Sequence, residues 1–190
     1  MSNASGIRAG LLSLARDAEA TTVLADDVAA LAARYVAVLA GGGTLFFAGN
    51  GGSAADAQHI ATEYVIRFRR TRQAFAAMAL TTDTSLITAA GNDLGFEQIF
   101  SRQVEALCRP GDLLVLHSTS GSSPNLLAAA RAARAQGVPV AALLGGDGGA
   151  LRELADIAIV VPSHDTSRIQ ELHLALEHLI VDAVEEELAQ

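Results

Sequence analysis

Apolar positions along the chain follow two alternating rhythms. From Leu24, the residues Val28, Leu31, Tyr35 and Val38 step by four, three, four and three, which is one stripe on a helix. Gly41-Gly42-Gly43 stops that helix, because glycine accepts the positive φ that a helix C-terminus needs. A second helical pattern precedes it, so residues 1–41 read as an N-terminal helical segment. The run 44–48 is then short and almost uninterruptedly apolar, as a strand buried on both faces is. Similar runs recur at 76–80, 113–117, 138–144 and 157–161. Helical stretches lie between them at about 53–68, 83–107 and 122–136, with a short turn near 149–155 and a last helix over about 166–188. Strands alternating with helices predict an α/β fold with a parallel sheet. No charge block, linker or low-complexity tract interrupts the pattern, so 1–190 reads as a single domain with an α/β core over 42–190. Ligands of such sheets bind beyond the carboxyl ends of the strands, which directs attention to the strand-to-helix turns.

Composition narrows the function. A hydrophobic fraction of 51% in 190 residues is ample for a core and excludes a disordered chain. The balance of 13 basic and 21 acidic residues, a net charge of −8, argues against nucleic acid and anionic membrane as partners. Cys108 is the only cysteine, so neither an intramolecular disulfide nor a multi-cysteine metal site is expected; it reads as an inert thiol, buried or half-buried near a helix end. No apolar run reaches the roughly 18–20 residues of a membrane span, and the first ten residues lack a signal pattern, so the expectation is a cytoplasmic protein.

Four segments carry candidate chemistry. Directly after the first strand, Asn50, Gly51, Gly52 and Ser53 form a loop whose glycines let backbone approach a ligand, with Ser53 expected to cap the next helix and create an anion site. Its glycine spacing is neither a dinucleotide fingerprint nor a Walker A loop. After the third strand, Ser118, Thr119, Ser120, Gly121, Ser122 and Ser123 bring hydroxyls to the start of a helix, a set that suits a phosphate monoester without a lysine. In the helix after Ser53, His59, Glu63 and Arg67 are spaced i, i+4, i+8 on one face, while Ala57, Ile60, Ala61 and Val65 form the apolar side. In the last helix Gln170, Leu174 and His178 share a face, and His173 and Glu177 form an i, i+4 pair elsewhere. His59, Glu63, Gln170 and His178 together suit either a divalent ion with mixed nitrogen and oxygen donors or an acid/base pair.

The segments AGNGGSAADAQHIATEY (48–64), LTTDTSLITAAGND (80–93), FSRQVEAL (100–107), STSGSSPN (118–125) and RIQELH…EH (168–178) resemble, in order and spacing, the phosphoheptose isomerases of the sugar isomerase (SIS) domain superfamily. The resemblance implies a five-stranded parallel sheet flanked by helices, a flavodoxin-like three-layer sandwich, assembled as a homotetramer with sites at subunit interfaces. It implies conversion of sedoheptulose 7-phosphate to D-glycero-D-manno-heptose 7-phosphate through an enediol. Matched residue by residue, it makes Glu63 and His178 the acid/base pair, and His59, Glu63, Gln170 and His178 the ligands of one Zn2+ per subunit. Ser53, Ser118, Thr119, Ser120 and Ser123 become phosphate contacts. Asn50, Gly51, Gly52, Asn92, Asp93 and Gln170 become sugar-binding positions, with Arg67 nearby.

The chain also departs from the pattern. Residues 69–75 lack the proline relatives often carry, His117 stands where an apolar or aromatic residue is usual, and Ser167-Arg168 replaces an acid-then-basic pair. His164 and His173 match no assigned role. Two rival readings stand beside the isomerase: a non-catalytic SIS scaffold that binds the replication initiator DnaA and shares the glycine and serine loops, and a regulatory or amino-sugar-binding SIS module that shares the serine loop but has no use for the His59/Glu63 and Gln170/His178 pairs. The scaffolds lack the glutamate and histidine of the acid/base pair, which are present here as Glu63 and His178. An isomerase of another sugar phosphate is the third alternative.

Overall fold

The computed structural model describes residues 3–189. Two helices open it, α1 (Asn3–Thr21) and α2 (Ala25–Ala40), joined by a 3-10 turn. Then follow β1 (Leu45–Gly49), α3 (Gly52–Val65), β2 (Ala77–Ala79), α4 (Thr84–Asp93), α5 (Ser101–Leu107), β3 (Leu113–Ser118), α6 (Pro124–Ala135), β4 (Val140–Leu144), α7 (Leu151–Leu154), β5 (Ile157–Val160) and α8 (Thr166–Leu188). The five strands are all parallel, in the order β2-β1-β3-β4-β5.

β1, β3 and β4 are buried at every residue, which is why they read as unbroken apolar runs. Side-chain alternation divides their residues between two cores. Leu45, Phe47, Leu113, Val115, Ala141 and Leu143 face α2, α3 and α8. Phe46, Ala48, Leu114, Leu116, Ala142 and Leu144 face α4, α5, α6 and α7. Val28, Leu31, Tyr35 and Val38 are all buried in the first core, so α2 is bound into the same interior as the sheet. Gly42, at φ 79°, ends α2 as expected.

The expected helix over 83–107 is instead α4, a 3-10 turn at Phe96–Gln98, and α5. Asp83 caps α4 by accepting from the Leu86 N–H at 2.9 Å, and Gly95 at φ 97° breaks the path, a conformation no helix tolerates. β2 is shorter than its apolar run because it is an edge strand, with Met78 46% exposed. Chain order reverses between β1 and β3, so the loops leaving those strands flank the crevice where ligands of such sheets sit.

Candidate active site

Two loops line that crevice. Gly51, at φ 57°, turns the chain from β1 into α3. Gly49 approaches so closely that a Cβ would meet the Ser53 carbonyl at 2.5 Å. Ser53 does not cap α3: Gly51 holds that position without a side-chain bond, and Ser53 lies buried in the first turn. The tight approach to Gly49 pulls it inward. From β3, Ser118 is buried and accepts from the Gly121 N–H at 3.0 Å, while Ser120 accepts from Ser122 N–H at 3.3 Å. Ser123 precedes α6 with Pro124 at its first position, and neither the Ser123 nor the Thr119 hydroxyl is hydrogen-bonded among the described residues. Gly121 needs its φ of 61°, and a Cβ there would strike the Gly148 carbonyl.

Asn50 and Asn125 tie the two loops together through reciprocal amide bonds of 2.9 and 2.8 Å. Asn125 was not singled out from sequence, although it closes the serine-rich loop and an asparagine at a helix start is a detectable polar signal. Gln170 crosses the start of α3, where a Cβ on Gly52 would meet its side-chain amide at 2.6 Å. The bare Gly52 backbone is thus what lets α8 pass this close.

Farther along α3 and α8 three side chains converge. His59 Nε2 lies 3.2 Å from Glu63 Oε1 and 3.2 Å from His178 Nε2, and the donor atoms of all three fall within 4.8 Å of one another. Two imidazole nitrogens and a carboxylate oxygen facing each other are electron-rich, and either a proton on His59 Nε2 shared between its two neighbours or a cation among the three would satisfy the contacts. This donor set fits zinc, with a position left over for a further ligand. Burial lowers the His178 pKa from its ordinary value; the neighbouring His59 adds to this, and Glu63 opposes it.

Other expected residues stand apart. α3 ends at Val65, so Arg67 does not continue the His59–Glu63 stripe and is exposed in the following turn. Val65 is itself 40% exposed rather than part of the apolar side. Asn92 donates to Asp93 at 2.7 Å at the end of α4, and no hydrogen bond among the described residues joins either to the cluster. His173 and Glu177 are both fully buried and do not form the expected i, i+4 pair. His173 Nε2 donates to the Leu144 carbonyl at 3.0 Å. Glu177 Oε1 accepts from Tyr35 OH and from His117 Nε2, each at 3.0 Å. His117 is therefore a buried core residue near the end of β3, satisfied by its partner on α8. Burial, with Glu177 adding to it, raises the Tyr35 and Tyr64 hydroxyl pKa values well above the usual range. Burial also pushes the Cys108 thiol up to about 12, in keeping with an inert residue.

The SIS domain family matches residues 12–145. The phosphoheptose isomerase of Roseiflexus sp. (strain RS-1) is 52% identical over 161 residues, 85% of this chain and 82% of that protein. Among solved structures, the phosphoheptose isomerase of Neisseria gonorrhoeae superposes with a TM-score of 0.90 at 41% identity, covering 96% of this chain and 98% of that one. That of Francisella tularensis gives 0.92 at 35% identity, covering 98% and 100%.

Proposed function

The chain belongs to the SIS domain family and, within it, to the phosphoheptose isomerases, sugar-phosphate isomerase enzymes; from this premise we propose that it converts sedoheptulose 7-phosphate to D-glycero-D-manno-heptose 7-phosphate. The observation that carries the reading is the convergence of Glu63 and His178 from facing helices, beyond the start of α3 where the two crevice loops meet. Seven residues of helix, about 10 Å at 1.5 Å per residue, separate Gly52 from His59. That is on the scale of an open-chain sugar phosphate lying along α3.

In this mechanism the phosphate is held by the hydroxyls of Ser53, Ser118, Thr119, Ser120 and Ser123, which anchors the sugar remotely and fixes its orientation. Asn50, Gly51, Gly52 and Gln170 line the sugar's path, with Arg67, Asn92 and Asp93 as further contacts. Glu63 takes the proton from the carbon beside the carbonyl, giving an enediol, and returns it to the neighbouring carbon. Its Oε1 faces His59, and Oε2 makes no hydrogen bond among the described residues, so it is free for that proton. His178 moves protons between the two oxygens. The lowered pKa of its imidazole keeps the ring unprotonated at neutral pH, so a nitrogen lone pair is open to take a proton and pass it on. His59, Glu63 and His178 would hold a zinc ion, which when bound supplies Lewis acidity that polarises the carbonyl and hydroxyl oxygens; Gln170, the fourth ligand of the resemblance, has its amide against Gly52 at the start of α3 and would have to swing toward the cluster to join them.

The enzyme acts, in this reading, as a cytoplasmic homotetramer of single-domain subunits. No helix of the described residues is long and apolar enough to cross a membrane. An apolar groove of about 380 Å³ between α2 and α8, lined by Val28, Ala29, Ala32, Leu176, Leu179 and Ile180, supports subunit contact on that face, and Leu179 is 62% exposed there.

Sedoheptulose 7-phosphate supplied to the purified protein should yield the aldoheptose 7-phosphate. Glu63→Gln and His178→Ala should each lower turnover roughly 10²- to 10⁴-fold with circular dichroism unchanged. A folded Glu63→Gln protein with full turnover would remove Glu63 from the mechanism, and no turnover by the native protein in any metal state would remove the heptose reading.

A further inference from the structure

One carboxylate organises the chain where it leaves α3. Glu185, fully buried on α8, accepts three successive backbone N–H groups, those of Phe68, Arg69 and Arg70, at 2.8, 2.8 and 2.9 Å. Successive amides converging on an anion form a nest. Arg72 Nε donates to the same carboxylate at 2.9 Å, and its other nitrogens donate to the Glu63 and Tyr64 carbonyls at 2.8 and 2.9 Å, pinning the loop to the last turn of α3. Arg69 and Arg70 also pair with Asp182 at 2.7 and 3.1 Å, the first contact exposed and the second part-buried, and ion pairs so open to solvent contribute little.

The loop so fixed presents Phe68 to His178. Their rings stack with centroids 5.3 Å apart and planes 10° from parallel, while His59 meets His178 at 5.1 Å and 62°. An imidazole is ordinarily oriented by a hydrogen bond to the nitrogen that is not at work. Among the described residues, His178 Nδ1 has no such bond, and Nε2 is the atom directed at His59. Ring packing therefore takes the place of the missing bond: turning the imidazole would separate it from Phe68 and swing Nε2 away from the cluster.

We infer that Phe68 is a positioning residue for His178, and that Glu185 sets Phe68 through the nest at 68–70. This rests on the reading of His178 as the proton-moving partner of Glu63. Phe68 touches His178 and not the phosphate loops, and of the proposed substrate contacts only Arg67 adjoins it, so the effect of changing Phe68 falls mainly on kcat rather than on KM.

The test compares the full-length native protein with Phe68→Leu, Phe68→Tyr and Glu185→Gln, in kcat and KM for sedoheptulose 7-phosphate and in the carbon–proton NMR spectrum of histidine-labelled samples. The His178 ring protons, assigned with His178→Ala, should be shifted upfield by the Phe68 ring current in the native protein and in Phe68→Tyr. They should return toward ordinary values in Phe68→Leu and Glu185→Gln. Phe68→Leu should lower kcat roughly 10- to 100-fold with KM within about threefold, and Phe68→Tyr should restore it. His178 resonances unmoved by Phe68→Leu would overturn the inference, as would moved resonances with native kcat. Should Glu185→Gln fail to fold, the Phe68 pair still decides. Should the native protein not turn over the heptose, the functional reading fails, while the spectra still establish or refute the orientation of His178.

Discussion

His178 Nε2 stands 3.2 Å from His59 Nε2, and one of these nitrogens must bear a proton or both must face a cation. Glu63 Oε1, at 3.2 Å from the same His59 atom, would favour either a proton there or the zinc ion of the proposed mechanism, and a metal titration separates the two. Loss of a group behind a metal ligand costs about 10- to 100-fold in affinity, and loss of a ligand costs more. His59→Ala should therefore weaken zinc binding by at least that factor in a competition titration against a chromophoric chelator. Native affinity in the variant would exclude His59 as a ligand.

The Thr119 and Ser123 hydroxyls, without a hydrogen bond among the described residues, give a cleaner probe of the proposed phosphate site than Ser118, whose oxygen already serves the Gly121 N–H. A hydrogen bond to a charged group is worth about 1.5–3 kcal/mol. Thr119→Val and Ser123→Ala should each raise KM for the sugar phosphate roughly tenfold or more with the melting temperature unchanged. Ser118→Ala should also lower the melting temperature. Unaltered KM in the first two variants would move the phosphate away from this loop.

How far these features were readable in the sequence depended on whether their partners were local. β1, β3 and β4 announced themselves because burial on both faces leaves no polar position to confuse the pattern. His59 and Glu63 are one helical turn apart, so their shared face follows from periodicity alone. The stretch 83–107 misled because its apolar spacing runs on across Gly95, and only the φ of 97° there breaks it. Arg67 misled in a similar way, as i, i+8 spacing cannot report that the helix ends at Val65. Glu177 was least legible. A glutamate beside a histidine on an amphipathic helix reads as surface, yet its partner His117 comes from a strand 60 residues earlier and Tyr35 from a helix 142 residues earlier.

That buried trio makes a stability prediction. Glu177 Oε1 is shared by Tyr35 and His117, and both Glu177 and His117 are wholly inaccessible. Removing the carboxylate alone strands two buried polar groups, so Glu177→Leu should cost about 3 kcal/mol or more in urea unfolding. Tyr35→Phe removes one donor and should cost nearer 1 kcal/mol. The double variant His117→Leu/Glu177→Leu replaces both partners by apolar groups and should be less destabilised than Glu177→Leu alone. Additive losses in the double variant would show that the two residues are not energetically coupled.

The pH dependence of stability has a sign fixed by His173. Burial lowers its pKa from 6.5 to about 3, His117 adds to the depression, and the bond to the Leu144 carbonyl only partly opposes it. Between those values the unfolded chain carries a proton that the folded chain refuses, so stability rises with pH across the window and is lost as pH falls below 6.5. Glu185 acts with the same sign but only below the ordinary carboxylate range. Burial would raise its pKa, yet the amides of Phe68, Arg69 and Arg70 together with Arg72 outweigh this and hold it low. The interval from pH 7 to pH 5 therefore leaves Glu185 out, while Asp56, whose pKa burial raises, acts with the opposite sign and is common to the native protein and a His173 variant. There His173 should account for about 2 kcal/mol of lost stability, since each pH unit below 6.5 costs about 1.4 kcal/mol. His173→Gln keeps a donor for Leu144 but does not titrate. Its urea-unfolding free energy should fall less than that of the native protein between pH 7 and 5, and equal slopes for the two would mean that His173 is protonated in the folded state.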